Sequence, residues 1–165
     1  MIRAKICMLG AYAVGKTSLV QRYVQGIFRD VYQTTVGVHI HKHETTIEER
    51  DITLMVWDIH GEDDLQEVRR SYIVGSTGYL LVADGTRPAT LEVALQLHER
   101  AVSVVGDVPF ALLLNKADLT DSWDVDEDRL DALRAVGVPV RTTSAKDGSG
   151  VVDAFEFLAR GIVPK

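Results

Sequence analysis

Eight consecutive residues, Gly10-Ala11-Tyr12-Ala13-Val14-Gly15-Lys16-Thr17, constrain this chain more than any other stretch. They follow the pattern G-x-x-x-x-G-K-[ST], a phosphate-binding loop. Glycines at both ends let the backbone turn tightly, so that successive N–H groups point inward at phosphate oxygens. Ala13, Val14, Gly15, Lys16, Thr17 and Ser18 are therefore the candidate phosphate contacts. Lys16 is placed to reach the β- and γ-phosphates, and the Thr17 hydroxyl to ligate Mg²⁺. A glycine-containing turn could match the pattern by accident, but here a strand-like run at residues 4–9 precedes it and a helix is expected over 17–24. A helix opening at the loop adds its partial positive charge to the site.

Composition narrows the field further. The 165 residues are expected to form one domain, 1–165, large enough to bury most of the surface its unfolded chain exposes. Eighteen basic against 24 acidic side chains leave a net charge of −6, with no basic stripe to mark a nucleic-acid partner. The single cysteine, Cys7, falls in the first strand and reads as a small buried apolar residue. Without a second cysteine there is no intramolecular disulfide, which suits a reducing cytoplasm. Residues 1–5 lack the apolar stretch of a signal peptide, and no run approaches a membrane span, so the expected location is cytoplasmic.

Strand and helix signals alternate from end to end. After the first helix, residues 26–37 are polar and irregular, and then two extended segments, Val38–Ile47 and 52–59, are joined by the charged turn Glu48-Glu49-Arg50-Asp51. A join this short predicts an antiparallel hairpin. Residues 60–72 read as a loop that becomes helical. Residues 79–83 and 110–114 are continuous apolar runs, as in strands covered on both faces. Between them Leu91, Ala94, Leu95 and His98 recur at helical spacing after a start at Thr86-Arg87-Pro88. A helix over 126–136 ends at Gly137, and a strand at 138–142 and a helix at 151–159 close the chain. Such alternation predicts a mostly parallel sheet with helices on both faces. Ligands of these sheets bind beyond the carboxyl ends of the strands.

The loops at those ends carry the remaining chemistry. Asp58 closes the apolar run Val56-Trp57, the position of a carboxylate that holds Mg²⁺; alone it would more readily be an acidic turn residue, and the phosphate loop is what favours the metal role. Gly61 follows, where a backbone N–H could approach a terminal phosphate. Asn115-Lys116-Ala117-Asp118 comes directly after an apolar strand. A carboxylate there can accept guanine N1–H and N2–H₂ side by side, a donor pair that adenine lacks. Ser144-Ala145-Lys146 follows the last strand, where backbone N–H groups could meet the guanine carbonyl. Either string alone would be an ordinary loop; it is the order, each after its own strand, that carries the reading.

With these motifs in sequence, the chain resembles the Ras-like small GTPases, and most closely the Rab branch, from about residue 4 to residue 162. The Rab-like character rests on Gly15-Lys16-Thr17-Ser18-Leu19, Thr34-Thr35-Val36-Gly37-Val38 and Trp57-Asp58. The resemblance implies an α/β P-loop NTPase fold, a small G domain with a mostly parallel six-stranded sheet and one antiparallel strand. It implies GTP/GDP and Mg²⁺ as ligands, with Phe28 stacking on the base and Thr35 joining Thr17 and Asp58 at the metal. Residues 28–38 and 59–72 would be the two switches. It also implies slow GTP hydrolysis by a monomer, with Lys16, Gly61 and Glu62 around the reacting phosphate. An activating partner, an exchange factor and effectors would act on it, the effectors meeting Ile40, Trp57 and Tyr72. Those three could instead simply pack the hairpin against the second switch.

The match fails at three places. Tyr12 stands where the family has a small residue, and its phenol would crowd the entry of a partner's arginine. Asp58-Ile59-His60-Gly61-Glu62 replaces the usual Asp-x-Ala-Gly-Gln, so a carboxylate takes the position of the water-orienting glutamine. The sequence closes on Val163-Pro164-Lys165 without a cysteine-bearing tail, so no prenyl anchor is expected. His39, His41 and His43 alternate along one strand face, with neighbours about 6.6–6.8 Å apart. A solvated face is the expectation, with a transition-metal site as the alternative. The competing functional reading is a guanine-nucleotide-binding module with little or no hydrolysis. An adenine-specific ATPase fits poorly with Asp118.

Overall fold

The structure is a computed structural model that describes residues 1–24, 31–33, 38–59 and 70–165. Among the described residues seven strands form one sheet in the order β2-β3-β4-β1-β5-β6-β7. They are β1 (Ile2–Gly10), β2 (Val31–Gln33), β3 (Val38–Ile47), β4 (Arg50–Ile59), β5 (Gly78–Asp84), β6 (Phe110–Asn115) and β7 (Val140–Thr142). Only β3 runs against the rest: it pairs antiparallel with both β2 and β4, and the other pairs are parallel. The sheet has one strand more than the six expected, because the short β2 lies in the stretch read as irregular. Three residues at a sheet edge carry too little apolar alternation to be seen in sequence.

The hairpin register is tighter than expected. Ile47 pairs with Arg50, so the turn is Glu48-Glu49 alone, and β4 starts two residues earlier than its apolar run. Both turn residues have positive φ, 50° and 64°. This is the geometry of the two-residue turn whose twist matches paired strands, made here without glycine or asparagine. The Thr46 hydroxyl bonds the Asp51 carboxylate at 2.9 Å across the second pair from the turn.

Side-chain alternation divides the core into two layers, as expected of a sheet covered on both faces. Ile6 and Met8 of β1, with Leu54 and Val56 of β4, pack under α1 (Lys16–Val24) and α5 (Val151–Ile162). Cys7 and Leu9, with Leu81 and Leu112, pack under α3 (Ala89–Val105) and α4 (Glu127–Ala135), beside the short α2 (Arg70–Ile73). Helix α3 buries Thr90, Ala94, Leu97 and Ala101. Of the expected set, Ala94 is fully buried, Leu91 packs partly buried against the same core, and His98 meets Tyr79 of β5 and Phe110 of β6. Tyr23 of α1 stacks on Phe155 of α5 with ring centroids 4.1 Å apart and planes within 1°.

The histidine face is a correction. His41 and His43 are buried, at 7% and 5% exposure, not solvated. They lie on the sheet face that α1 and α5 cover, and the His43 ring meets Tyr23 at 4.5 Å between centroids. Alternation places side chains on one face, but which face is covered depends on the helices that pack there. Among the described residues no group of three or more His, Cys, Asp or Glu side chains is arranged to hold a metal ion.

Candidate functional site

Register brings the strand ends that matter to one edge of the sheet. Met8 lies beside Asp58, Gly10 beside Val82, and Asp84 beside Asn115. The phosphate-loop sequence leaves β1 there and enters α1 at Lys16. Its glycines serve different ends. Gly15 has φ +101°, and a Cβ on it would run into the Asn115 amide. Gly10 does not adopt positive φ; a Cβ on it would strike the Val82 carbonyl, so closeness to β5 demands the glycine. The expectation that both glycines serve the turn is corrected here: Ala13, at φ 59°, supplies the second left-handed position.

Every carbonyl from Gly10 to Val14 accepts a hydrogen bond from a side chain. Lys16 Nζ donates to Gly10 O at 2.6 Å and to Ala11 O at 3.1 Å. Arg87 donates to Tyr12 O at 2.8 Å, Lys116 Nζ to Ala13 O at 2.9 Å, and Asn115 Nδ2 to Val14 O at 2.9 Å. In a trans peptide the carbonyl and the next N–H point in opposite directions. Holding the carbonyls therefore orients the loop's N–H groups as a set, the arrangement an anion needs. Ser18 is exposed in the first turn of α1.

Thr17 and Asp58 come together across 41 residues of sequence. The Thr17 hydroxyl donates to Asp58 Oδ2 at 2.7 Å, and Asp58 is fully buried. A hydroxyl and a carboxylate are hard oxygen donors that suit Mg²⁺, and a buried carboxylate is costly unless a positive charge shares it. The residues fit the metal.

A cavity of about 400 Å³ opens beside the loop, lined by Gly15, Ser18, Asn115, Lys116, Asp118, Leu119, Ala145 and Lys146. Both sequence strings expected to read the base thus reach one space. Asn115 is its hub: besides bonding Val14, its Oδ1 accepts from the Thr143 hydroxyl at 3.1 Å and from Ala145 N–H at 3.3 Å. Ser144 is buried, and its hydroxyl donates to Asp118 Oδ1 at 2.7 Å, fixing the carboxylate's orientation. Asp147 N–H closes onto the same Ser144 oxygen at 3.2 Å.

Sequence reasoning missed Asp84, Arg87 and Thr143. Asp84 ends β5 and Asn115 ends β6, as Asp58 comes one residue before the end of β4, so a polar residue closing an apolar run was the available signal. Burial opposes the charge on Asp84, but hydrogen bonds from Lys116, Thr86 and Arg87 outweigh it and hold the carboxyl well below its ordinary range. Phe28, Thr35, Gly61 and Glu62 lie outside the described residues. Tyr12 is 66% exposed on the loop. Ile40 and Trp57 are cross-strand partners, and with Tyr72 they are half-buried against the α3-side core. Lys5 Nζ lies 3.7 Å from the Trp57 ring centroid, a cation–π contact. No helix among the described residues is long and apolar enough to cross a membrane.

Comparison with known proteins agrees with this geometry. Residues 5–164 match the Ras family. Human Ras-related protein Rab-7b is 33% identical, over 94% of this chain and 80% of that protein. Bovine Ras-related protein Rab-13 is 32% identical, over 98% of this chain and 80% of that protein. Ras-related protein Rab-32B of Dictyostelium discoideum is 32% identical over 96% of this chain, which spans 64% of its length. The chain belongs to the Ras family of small GTPases, guanine-nucleotide switches that bind Mg²⁺, and its relatives are of the Rab branch.

Proposed function

We propose that residues 1–165 work as one G domain that binds GTP or GDP with Mg²⁺, hydrolyses GTP slowly and signals to effectors through its switch segments. The observation that carries this reading is the convergence of the loop, the Thr17–Asp58 pair, the Asn115 contacts to Val14, Thr143 and Ala145, and the Ser144–Asp118 pair on one edge of the sheet. Ala13, Val14, Gly15, Lys16, Thr17 and Ser18 bind the phosphates. Asn115, Lys116, Asp118, Ser144, Ala145 and Lys146 hold the guanine, with Phe28 stacked on it. Thr17, Asp58 and Thr35 would hold Mg²⁺, which would supply positive charge to offset that developing on the phosphates. In hydrolysis, water attacks the γ-phosphorus, the bond to the bridging oxygen breaks, and GDP and phosphate leave. Lys16 stabilises the charge, the Gly61 N–H meets the γ-phosphate and Glu62 stands at the water. Loss of the phosphate releases Thr35 and Gly61, and the switches relax. Ile40, Trp57 and Tyr72 form the effector-facing patch, while an exchange factor and an activating partner govern the cycle.

Two residues favour a second reading, a nucleotide-binding module with little or no turnover. Tyr12 projects from the phosphate loop and Glu62 replaces a glutamine, so the usual routes to rapid hydrolysis are altered. Nucleotide released by denaturing the purified protein identifies the base. Single-turnover hydrolysis of preloaded GTP then separates a slow enzyme from a module: a detectable first-order release of phosphate supports the enzyme, and none supports the module.

A further inference from the structure

Two of the five carbonyl contacts in the phosphate loop are made by cations that share one oxygen. Asp84 is 1% exposed at its side chain. Its Oδ1 accepts from the Thr86 N–H at 2.9 Å and from the Thr86 hydroxyl at 2.6 Å. Its Oδ2 accepts from Arg87 Nε at 3.0 Å and from Lys116 Nζ at 2.8 Å. Four donors fill the carboxylate, so Asp84 has no capacity left for a ligand and acts as support. The two cations also grip adjacent peptides: Arg87 holds the Tyr12 carbonyl through a second nitrogen, and Lys116 holds the Ala13 carbonyl with the same Nζ that meets Asp84.

We propose that Arg87 is a positioning residue for the phosphate loop, anchored by Asp84 and acting through the Tyr12 peptide. The inference rests on the guanine-nucleotide reading above. Its physical basis is peptide geometry. With the Tyr12 carbonyl held by Arg87, the Ala13 N–H in the same trans peptide points the other way, into the loop. Lys116 does the same for the Val14 N–H, and Asn115 for the Gly15 N–H. One buried carboxylate thus ties the peptide beside Tyr12 to the loop that reads the base. A guanidinium suits the task because its fork offers Nε to Asp84 and a terminal nitrogen to Tyr12 at once. Lys116 meets Asp84 and the Ala13 carbonyl with one nitrogen from its own place after β6, whereas a lysine at position 87 lacks the second nitrogen with which Arg87 reaches Tyr12. The contact also sets the backbone from which the Tyr12 phenol projects.

The test compares GDP with GMP, which lacks the outer phosphate, on wild type, Arg87→Ala, Arg87→Lys and Asp84→Asn. Dissociation constants are measured by competition in the presence of Mg²⁺. Arg87 is 44% exposed, so Arg87→Ala should weaken GDP by about three- to tenfold and leave GMP within twofold. Arg87→Lys should fail to restore GDP affinity. Asp84→Asn should weaken GDP at least as much, and adding Arg87→Ala to it should cost little more, because Arg87 is then already unanchored. GDP affinity unchanged in Arg87→Ala, equal losses for GDP and GMP, or full recovery in Arg87→Lys would each overturn the inference. Wild-type protein unable to bind GDP would overturn the functional reading and this inference with it, whereas normal wild-type binding with an unaffected Arg87→Ala overturns this inference alone.

Discussion

Asp118→Asn should turn the protein from guanine toward xanthine. In the structure the Ser144 hydroxyl donates to Asp118 Oδ1 at 2.7 Å, on the wall of the 400 Å³ cavity. A carboxylate so fixed can accept both guanine donors, N1–H and N2–H₂. Xanthine keeps N1–H but carries a carbonyl in place of the amino group. An asparagine whose oxygen is pinned by Ser144 presents its amide N–H₂ toward that carbonyl, so the same hydroxyl orients the replacement. Losing one hydrogen bond to a charged group costs roughly 1.5–3 kcal/mol, which is about a ten- to 150-fold loss of GDP affinity. XDP affinity should rise by a comparable factor, since the clash of two acceptors is removed. The assay is competition of GDP and XDP against a fluorescent nucleotide, with far-UV circular dichroism to establish that the variant is folded. Adding Ser144→Ala should blunt the switch, because the amide is then free to rotate. A folded Asp118→Asn protein that kept the wild-type preference for GDP over XDP would refute base recognition by Asp118.

Three further outcomes are expected. Tyr12→Gly should make hydrolysis responsive to an activator that inserts an arginine, a route that supplies roughly 10³–10⁵ in rate, and pairing it with Glu62→Gln should extend the gain; strong wild-type acceleration by an activator whose arginine is indispensable would contradict the steric argument. Phe155→Ala removes a fully buried ring stacked on Tyr23, so it should cost about 3–5 kcal/mol, read as a denaturation midpoint lowered by roughly 6–20 °C; a shift of only a degree or two would mean that α1 and α5 are held otherwise. Burial and, to a lesser degree, Asp107 push the Tyr79 hydroxyl up from 10.0 to about 12, and it bonds His98 Nδ1 at 2.8 Å. The folded state therefore resists ionisation that the unfolded chain undergoes, so stability is intact below pH 10 and falls as pH rises from 10 toward 12. Alkaline unfolding of Tyr79→Phe should lack that increment, and identical wild-type and variant curves over this range would count against it.

Much of the candidate site was legible because each part is written locally. The phosphate loop needs glycine where φ is positive at Gly15 and where no Cβ fits at Gly10, and a lysine and a hydroxyl where the helix starts. Asp58 and Asn115 could be seen as polar residues closing apolar strands, and a parallel sheet aligns such ends at one edge. The same rule applied to Asp84 would have found it. The hairpin was legible as two extended runs, but its turn was not, because Glu48 and Glu49 carry no sequence preference for left-handed backbone.

The sequence by itself determined the alternation of strand and helix, the two-sided burial of β5 and β6, and the presence of a phosphate loop, since periodicity and backbone demands act over a few residues. Tertiary structure alone decided what met what. Whether His41 and His43 faced water or a helix depended on α1 and α5, elements with no local bearing on the β3 pattern. The grip on the loop is made across separations of 75 residues from Arg87 to Tyr12 and 103 from Lys116 to Ala13, and one buried carboxylate joins the two. Such contacts leave no periodic trace, because they depend on the order in which strands pair and on the edge to which that order brings their ends.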